Sequence, residues 1–398
     1  MVEDQNNGLR QRQVEGSQGD QKQESAEETR RPKRKMNDRC RRILLSWQFK
    51  ASIFSVVAVV PVYGTFIVLP VILERRECTD AFCHLRHTIF AIWISVQFLY
   101  NFGMTQFSDP GGCKYIKPTY EATGQFEMIL SGDLKEGQPK SMLYAPNFCE
   151  HCQHWKPPRA HHCSFCRRCV LRMDHHCPFT GNCIGMRNHG HFLLMYVFAC
   201  VGLLYCLTQC VLVVASAPSS WSIFKPHEFS KTAPMLRSGL SGMMANITLQ
   251  VLEVAGWKIT LLTVFASVAF VAVTGFGVPV WLTAMEGATV LEHHFPMKEY
   301  VQIKPQVYCP LGPGFYRQKV QQNIKDLIGA RWWLRLLLPT RGGPVNVRPA
   351  VSPVPSVQGV ALLLQRVREV EEQGVEHEVK SYKDLGINCG PSADGTNV

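Results

Sequence analysis

The hydrophobic pattern of the chain is dominated by four stretches without a charged residue. They cover residues 51–73, 88–108, 192–217 and 259–285, and polar segments separate them. A helix needs about 20 apolar residues to cross the hydrocarbon core of a bilayer, and each stretch is long enough to do so. The pattern therefore predicts four transmembrane helices. Buried helices of a soluble protein are the alternative, which would have to explain four such stretches in one chain.

The polar N-terminal region predicts how these helices are oriented. Residues 1–29 are rich in Gln, Glu, Asn and Gly with almost no large apolar side chains, so we expect disorder. Polar residues precede the first apolar run, and no cleaved signal peptide is expected. Residues 30–42 contain eight Lys or Arg and one acidic residue. Such runs flank spans on the cytosolic side, with a nuclear-import or nucleic-acid patch as the alternative. Because four is an even number of spans, both termini are expected in the cytosol.

The spans assign a fold class and divide the chain into six segments. We expect an all-α integral membrane protein with four transmembrane helices and a cysteine-rich cytosolic loop between helices 2 and 3. The segments are a disordered basic region (1–42), helices 1 and 2 (43–108), the cysteine-rich loop (109–191), helices 3 and 4 (192–285), a membrane-proximal segment (286–340) and a cytosolic tail (341–398). A luminal loop at 218–258 holds a glycosylation sequon at Asn246. In the first luminal loop, Cys78 and Cys83 either pair or remain thiols.

The net charge and the cysteine content limit which ligands and partners the chain is expected to bind. The formal net charge of +11 fits basic juxtamembrane segments drawn to anionic lipid and does not by itself indicate nucleic acid. Seven of the sixteen cysteines lie within residues 149–183, where repeated CxxC pairs and nearby histidines are typical of structural zinc. The cytosol is reducing, which favours zinc and free thiols over disulfides. Two closed Cys3His sites would use six of the seven cysteines and leave one.

The cysteine that is left over is assigned to Cys177, which follows Asp174, His175 and His176. A thiol reacts as its thiolate, and a neighbouring histidine lowers the thiol pKa. Asp174 would orient the ring of His175 and stabilise its cationic form, as in the Asp, His and nucleophile groups of acyl transfer. The spacing is equally compatible with Cys177 as a further zinc ligand or a buried thiol.

The cysteine-rich loop resembles the DHHC protein S-acyltransferases. The shared features are Asp-His-His-Cys-Pro at 174–178, Lys-Pro-x-Arg-x-His-His-Cys at 156–163, and Asn-Cys-Ile-Gly at 182–185 with Asn188 and Phe192 after it. The resemblance implies that one zinc ion is bound by Cys149, Cys152, His162 and Cys169. It implies that a second zinc ion is bound by Cys163, Cys166, His176 and Cys183.

The same resemblance implies catalytic roles and a reaction. Cys177 would be the acylated nucleophile, His175 its base and Asp174 the residue that orients His175. The reaction would move a long-chain acyl group, typically palmitoyl, from acyl-CoA to cysteines of membrane or membrane-associated proteins. Lys156 and Arg159 are candidates for the CoA phosphates, because phosphate favours such donors. We expect a multi-pass protein of the endoplasmic reticulum or Golgi, with the plasma membrane as an alternative.

Three positions depart from the family's pattern. Phe179 and Gly181 stand where the family usually has Trp and Asn. Phe179 keeps an aromatic face beside the nucleophile and is a further candidate for the acyl-CoA site. Val290 replaces the second Thr of a Thr-Thr-x-Glu element that retains Thr289 and Glu292. A hydrogen bond from that hydroxyl to the active site is therefore expected to be lost.

Two other classes of function fit part of the sequence. A zinc-bearing membrane scaffold or adaptor without turnover needs the zinc ligands but not an intact Asp174, His175 and Cys177, and all three are present. A membrane-tethered zinc domain for nucleic acid would interleave basic and aromatic residues. Phe165 is the single aromatic residue among the arginines of the loop, so no nucleic-acid partner is expected.

The C-terminal part holds two further helix signals. The segment 308–338 ends in Trp332 and Trp333 beside Arg and Leu residues, which suits a helix lying at the bilayer surface or, equally, a helix packed on the soluble loop. Residues 357–379 predict an amphipathic helix with acidic residues on one side. The sequence assigns no activity to that helix.

Overall fold

The computed structural model describes residues 45–113, 126–130, 139–145, 147–216, 256–294, 299–304, 307–311, 314–341, 355–373 and 380–381. The predicted disorder of residues 1–29, the basic run 30–42 and the loop that carries Asn246 fall outside these ranges. The chain divides into two units, Met1–Ser46 and Trp47–Val398, and the fold described below is that of the second unit.

Four helices within the described residues are long and apolar enough to cross a membrane, which confirms the predicted number of spans. The first span consists of α1 (Trp47–Tyr63), a π-helical turn (Gly64–Val68) and α2 (Leu69–Arg75). The other three spans are α3 (Ala81–Phe107), α4 (His189–Ser216) and α5 (Trp257–Met285). Helix α4 packs between α3 and α5.

Helix α3 begins well before the apolar stretch that predicts it. The side chain of Asp80 accepts a hydrogen bond from the Cys83 N–H at 2.6 Å, and such an N-cap satisfies one of the free N–H groups of the first turn. The helix therefore starts at Ala81 rather than at residue 88. Cys78 and Cys83, the two cysteines whose pairing the sequence left open, form a disulfide.

The prediction of an all-α fold is wrong outside the spans, where the described residues contain eleven short strands. They are β1 (Glu127–Ile129), β2 (Ser141–Tyr144), β3 (Phe148–Cys149), β4 (His154–Trp155), β5 (His161–Cys163), β6 (Arg168–Val170), β7 (His175–Cys177), β8 (Asn182–Ile184), β9 (Tyr300–Lys304), β10 (Val307–Pro310) and β11 (Lys380–Ser381). Strands β3 to β8 form three antiparallel hairpins, and the other five form one antiparallel sheet in the order β1-β2-β9-β10-β11.

The strands escape prediction for two physical reasons. The hairpin strands are two or three residues long, which is too short to show the alternation of apolar and polar residues that indicates a strand. The five-stranded sheet joins β2 to β9, and more than 150 residues separate these strands in the sequence. Pairing over such a distance depends on the spans that bring the two segments together.

Within the described residues, four helices follow the last span. They are α6 (Val290–His294), α7 (Val320–Ile328), α8 (Trp332–Leu337) and α9 (Val357–Gln373). Helix α9 confirms the predicted amphipathic helix over most of its length. Its Val360, Leu363 and Leu364 are buried in the same core as Phe315 of the preceding segment and Cys169 of the cysteine-rich loop. The tail helix is therefore part of the same core as the cysteine-rich loop.

Helix α8 packs against span α3, a contact that neither of the two arrangements left open by the sequence specified. The indole N–H of Trp93 donates to the Leu337 carbonyl at 2.9 Å, and the amide of Gln97 donates to the Leu336 carbonyl at 3.2 Å. These bonds hold α8 against α3, while the side chains of Trp332 and Trp333 remain exposed. Exposed aromatic rings next to a span suit the headgroup region of a bilayer.

Candidate active site

Two groups of four potential metal ligands assemble in the cysteine-rich loop. The first quartet consists of Cys149, Cys152, His162 and Cys169. The second quartet consists of Cys163, Cys166, His176 and Cys183. The three thiols of the first quartet lie 3.2–3.8 Å from Nδ1 of His162, and those of the second lie 3.4–3.8 Å from Nδ1 of His176. Three thiolates and one imidazole converging on one point fit a tetrahedral zinc ion.

The hairpin registers explain how the quartets form. Antiparallel pairing sets His162 opposite Cys169 in β5–β6, and His176 opposite Cys183 in β7–β8. Arg167 follows the second CxxC directly, and its φ of 52° lies in the left-handed region. Gly181 has a φ of 58° in the turn between β7 and β8. Glycine and asparagine both tolerate this region, so glycine at this departure from the family's pattern preserves the turn.

Strand β7 places the potential metal ligand His176 between the two candidate catalytic residues His175 and Cys177. Successive side chains of a strand point to opposite faces. His176 can therefore face the second quartet while His175 and Cys177 share the other face. This geometry brings together the three residues that the sequence proposed for catalysis, and it leaves Cys177 outside both quartets.

Asp174 is held from two sides at the start of β7. It is fully buried, its Oδ2 lies 2.7 Å from Nδ1 of His175, and its Oδ1 accepts the Val290 N–H at 2.8 Å. Burial raises the pKa of Asp174, but the proximity of His189 and the two hydrogen bonds outweigh it and lower that pKa to about 2. Asp174 is therefore a carboxylate at neutral pH.

His175 and Cys177 form a hydrogen-bonded pair. Asp174 engages Nδ1 of His175, which leaves Nε2 for the thiol. Burial alone would lower the pKa of His175, but the hydrogen bonds with Asp174 and Cys177 raise it to about 9. Burial would likewise raise the pKa of the Cys177 thiol, but hydrogen bonds with His175 and Thr180 lower it below its ordinary value. The arrangement favours a thiolate beside an imidazolium.

Val290 contacts the active site through its backbone, although its side chain has no hydroxyl. The missing hydroxyl does not disconnect this segment from the active site, because the backbone N–H of Val290 binds Asp174. Sequence reasoning considered side chains and could not see this bond. Thr289 and Glu292 form a reciprocal cap at the start of α6: the Thr289 N–H donates to Oε2 of Glu292 at 2.9 Å, and the Glu292 N–H donates to Oγ1 of Thr289 at 3.2 Å.

Arg159 lies in a buried ion pair. Its guanidinium donates to both carboxylate oxygens of Glu292 at 2.6 and 2.7 Å and to the Gly287 carbonyl at 2.7 Å, and it lies over the ring of Tyr316 at 4.7 Å. Both side chains of the ion pair are 7% exposed. The sequence proposed Arg159 together with Lys156 for the CoA phosphates. The ion pair of Arg159 with Glu292 became visible only in the fold.

The other two candidates for the acyl-CoA site remain accessible to different degrees. Lys156 is half-buried at the end of the β3–β4 hairpin, whereas the side chain of Phe179 is 70% exposed two residues after Cys177. Neither side chain takes part in a metal quartet.

Two buried amides fasten the β7–β8 hairpin to the end of α3. The side chain of Asn182 donates to the carbonyls of Thr105 and Ser108 at 3.1 and 2.8 Å. The side chain of Asn188 donates to the Thr105 carbonyl at 3.1 Å and to the Cys183 carbonyl at 2.9 Å. The hairpin that carries Cys177 is therefore fixed directly to a span.

An apolar cavity of about 340 Å³ lies between the spans. Its lining includes Val57 of α1, Phe98 of α3 and Phe198 of α4. The same three side chains pack in one hydrophobic cluster with Cys177. The reactive thiol and the cavity thus belong to one continuous apolar region.

Comparison with known proteins agrees with this geometry. Residues 143–295 match the family model described as DHHC palmitoyltransferase. The chain is similar to "Probable protein S-acyltransferase 16" of Arabidopsis thaliana, with 36% identity over 31% of this chain and 39% of the relative. It is also similar to "Palmitoyltransferase ZDHHC20" of Mus musculus, with 32% identity over 32% of this chain and 36% of the relative.

A shorter segment has higher identity to another relative. "Palmitoyltransferase ZDHHC15A" of Danio rerio is 49% identical over 18% of this chain and 20% of the relative. In each of these three comparisons the chain spans less than two fifths of the length of the relative. Residues 143–295, the part that matches the family model, contain both quartets and the Asp174, His175 and Cys177 group. The similarity to the DHHC palmitoyltransferase family covers residues 143–295 of this chain.

Proposed function

We propose that this protein transfers a long-chain fatty acyl group, typically palmitoyl, from acyl-CoA to cysteine thiols of other proteins through an acyl-Cys177 intermediate. The observation that carries the proposal is the buried Asp174, His175 and Cys177 group, which shares a hydrophobic cluster with the cavity between the spans. The cavity would hold the acyl chain while the CoA moiety stays in water. The names of the relatives agree with this activity.

In the first step the thiol proton of Cys177 moves to Nε2 of His175. The Cys177 sulfur attacks the carbonyl carbon of the acyl-CoA thioester, and the bond between that carbon and the CoA sulfur breaks. The CoA thiolate leaves and takes the proton from His175. Asp174 holds the His175 ring and stabilises its cationic form.

The second step repeats the exchange with a protein thiol. His175 accepts the proton of the incoming cysteine, whose sulfur attacks the acyl-Cys177 carbonyl carbon. The Cys177 thiolate is expelled, and its protonation by His175 restores the starting state. Apolar surroundings keep water from competing for the acyl-enzyme, because Cys177 is 4% exposed.

We propose that both quartets hold structural zinc. Each supplies three cysteines and one histidine at mutual distances that suit tetrahedral coordination. A bound zinc ion contributes folding free energy, and strands of two or three residues have little other means of holding their pairing. Neither ion takes part in the acyl transfer.

Lys156 is our leading candidate for a contact with the CoA phosphates. Arg159 is engaged by Glu292 in the structure, so it would have to exchange this carboxylate for a phosphate in order to bind CoA. Phe179 would contact the acyl-CoA beside the nucleophile. The acceptors are membrane or membrane-associated proteins with cytosolic cysteines.

We propose a multi-pass protein of the endoplasmic reticulum or Golgi with both termini in the cytosol. A membrane-impermeant thiol reagent applied to sealed vesicles, cytosolic face outward, should then label Cys389. The residues of the first luminal loop should react only after the membrane is opened and the Cys78 and Cys83 disulfide is reduced. Labelling from the opposite side would contradict the proposed orientation.

Incubation of the purified full chain with labelled palmitoyl-CoA tests the activity. We expect a hydroxylamine-sensitive label on Cys177 that is absent in Cys177→Ser and retained in Cys200→Ser, a control within α4. The acyl group should then move to a peptide thiol added in a second step. A scaffold without turnover would give no label on the wild type.

A further inference from the structure

A third group of potential metal ligands lies beside the first quartet. Cys113, His154 and Cys169 have one ligand atom each within 4.8 Å of one another. Cys169 is shared with the first quartet, whereas Cys113 and His154 belong to neither quartet. The proposed function uses neither of these two residues.

The backbone holds Cys113 next to Cys169. Gly112 forms an antiparallel bridge with Val170, and the Leu171 N–H donates to the Gly111 carbonyl at 2.8 Å. The segment before Cys113 is thus paired with the end of β6, whose Cys169 is the shared ligand. The Cys113 side chain is 5% exposed, so its thiol lies within the cytosolic core.

A hairpin register places His154 beside the first quartet, and a hydrogen bond at Nδ1 leaves its Nε2 available to a metal ion. Strand β4 pairs with β3 so that His154 lies opposite Cys149, a ligand of the first quartet. Nδ1 of His154 lies 3.0 Å from the carbonyl oxygen of Trp155. A carbonyl only accepts, so Nδ1 carries the proton, and in the neutral ring Nε2 is then free to bind a metal. A backbone carbonyl on the second nitrogen is the usual partner of a metal-binding histidine.

Charge balance favours a second ion at this place. One Zn²⁺ with the three thiolates of the first quartet carries a net charge of −1. If Cys113 is also a thiolate, two Zn²⁺ neutralise the four thiolates completely. Burying a neutral cluster costs much less than burying an isolated charge. Thiolate and imidazole ligands together suit zinc among the common metal ions.

We infer that Cys113 and His154 bind an additional zinc ion that shares the Cys169 thiolate with the first quartet. The ion has three protein ligands, and its fourth position is open to water or an external thiol. The alternative is that Cys113 is a neutral thiol that hydrogen-bonds to Cys169, with no further ion. The inference rests on the proposed zinc in the two quartets.

Metal content per chain separates these possibilities. The full chain is purified in detergent with zinc in the growth medium, and zinc and protein are measured by plasma mass spectrometry and amino-acid analysis. We expect three zinc ions per chain in the wild type and two in both Cys113→Ala and His154→Gln. The matched controls are Cys309→Ala, buried in the same core cluster, and His151→Gln, exposed on the β3–β4 turn. Both controls should retain three ions.

Any other zinc content refutes either the shared ion or the zinc sites of the quartets. Two ions in the wild type, or an unchanged content in both variants, refutes the shared ion and leaves the zinc of the quartets intact. Fewer than two ions in the wild type refutes the quartets as well. If Cys113→Ala loses all its metal through misfolding, the partly exposed His154 decides the matter, since a content of three in His154→Gln refutes the inference. In ¹¹³Cd-substituted protein we expect two cadmium signals coupled to each other through Cys169, and absence of this coupling refutes the bridge.

Discussion

Two hairpins of the cysteine-rich loop have the same local sequence and pairing, but their cysteines have different surroundings. β5–β6 and β7–β8 each begin with His-His-Cys, and each pairs its second His with a Cys on the opposite strand. Cys163 in the first hairpin belongs to the second quartet of potential metal ligands, whereas Cys177 at the equivalent place in the second hairpin is outside both quartets. The backbone alone therefore does not decide which cysteine is reactive.

Differences at two equivalent positions of the hairpins distinguish their cysteines. Three residues after Cys163 stands Cys166, which completes a CxxC pair, while Thr180 stands three residues after Cys177 and offers no thiolate. Asp174 precedes the second hairpin where Ala160 precedes the first.

The histidines of the two hairpins differ accordingly. Burial lowers the pKa of His161, whereas the hydrogen bond with Asp174 raises that of His175 to about 9 despite burial. Compared with the first hairpin, the second therefore lacks a partner thiol for its cysteine and gains a carboxylate beside its histidine.

Removing the two equivalent cysteines should separate the two roles most clearly. We expect Cys177→Ser to abolish the hydroxylamine-sensitive acyl label and to leave the metal content unchanged, because Cys177 is not a ligand. We expect Cys163→Ser to lose one zinc ion per chain, because it breaks the second quartet. Acylation assays and metal analysis of both variants check this. Loss of an ion in Cys177→Ser would make Cys177 a ligand and contradict the mechanism.

The adjacent histidines of β7 should separate in the same way. His175→Ala should slow acylation of Cys177 by about 10²- to 10⁴-fold, the usual contribution of a positioned base, and should retain zinc. His176→Ala should lose zinc from the second quartet and unfold at lower temperature, because metal binding stabilises the fold. Single-turnover labelling, metal analysis and thermal melting give the readouts. Equal loss of zinc in both variants would contradict the division of roles.

Asp174→Ala makes the second hairpin resemble the first, which has Ala160 at this place. We expect acylation to slow by about 10²-fold, at the lower end of the range for a base, because His175 keeps Cys177 but loses its orienting carboxylate. The single-turnover rate measures the effect. Asp80→Ala is the control. Asp80 caps the end of α3 that is far from the β7–β8 hairpin, so this change should leave the rate unchanged. An unchanged rate in Asp174→Ala would show that His175 is oriented by other means.

The side chains that fix the two hairpins to the rest of the protein should contribute differently to its free energy of unfolding. Asn182→Ala leaves the carbonyls of Thr105 and Ser108 without this donor in a buried place, so we expect a loss of about 1–3 kcal/mol in the free energy of unfolding. Arg168, which pairs with Cys163 across the first hairpin, makes a half-exposed ion pair with Asp109 at 3.7 Å. Arg168→Ala should cost no more than about 1 kcal/mol. Equal losses would show that the second hairpin needs no special fixing to α3.

A pH-dependent contribution is expected where the first hairpin meets the segment after α5. Burial, together with the charge of Glu292, raises the pKa of Glu299 from 4.5 to about 7. The folded state then retains a proton that the unfolded state releases. This contribution to stability is complete below about pH 4.5 and is lost as the pH rises to about 7.

Glu299→Gln removes this titration and keeps an oxygen that accepts the Arg159 N–H. We expect the melting temperature of the wild type, relative to Glu299→Gln, to be higher at pH 5 than at pH 8. Both proteins have the same metal ligands, so the pH dependence of zinc binding cancels in the difference. A constant difference between the two pH values would contradict the raised pKa.

The sequence by itself predicted four membrane spans, two sets of potential zinc ligands and a candidate reactive cysteine. Charge-free stretches predict membrane helices because the hydrocarbon core excludes charge over a known thickness. The spacing of cysteines predicts zinc because CxxC is a local geometry. The motif around Cys177 specified the catalytic candidates through resemblance to a family, while spacing alone could not separate Cys177 from a metal ligand.

Only the tertiary structure decided the features that join distant segments. The bond from the Val290 N–H to Asp174, the ion pair of Arg159 with Glu292 and the sheet pairing of β2 with β9 each link residues more than 100 positions apart. The short strands made the all-α prediction fail, because two or three residues show no period. The convergence of Cys113 and His154 on Cys169 likewise depends on the pairing of separate hairpins. Backbone groups and non-local contacts leave no pattern in a single sequence, which is why these features required the folded chain.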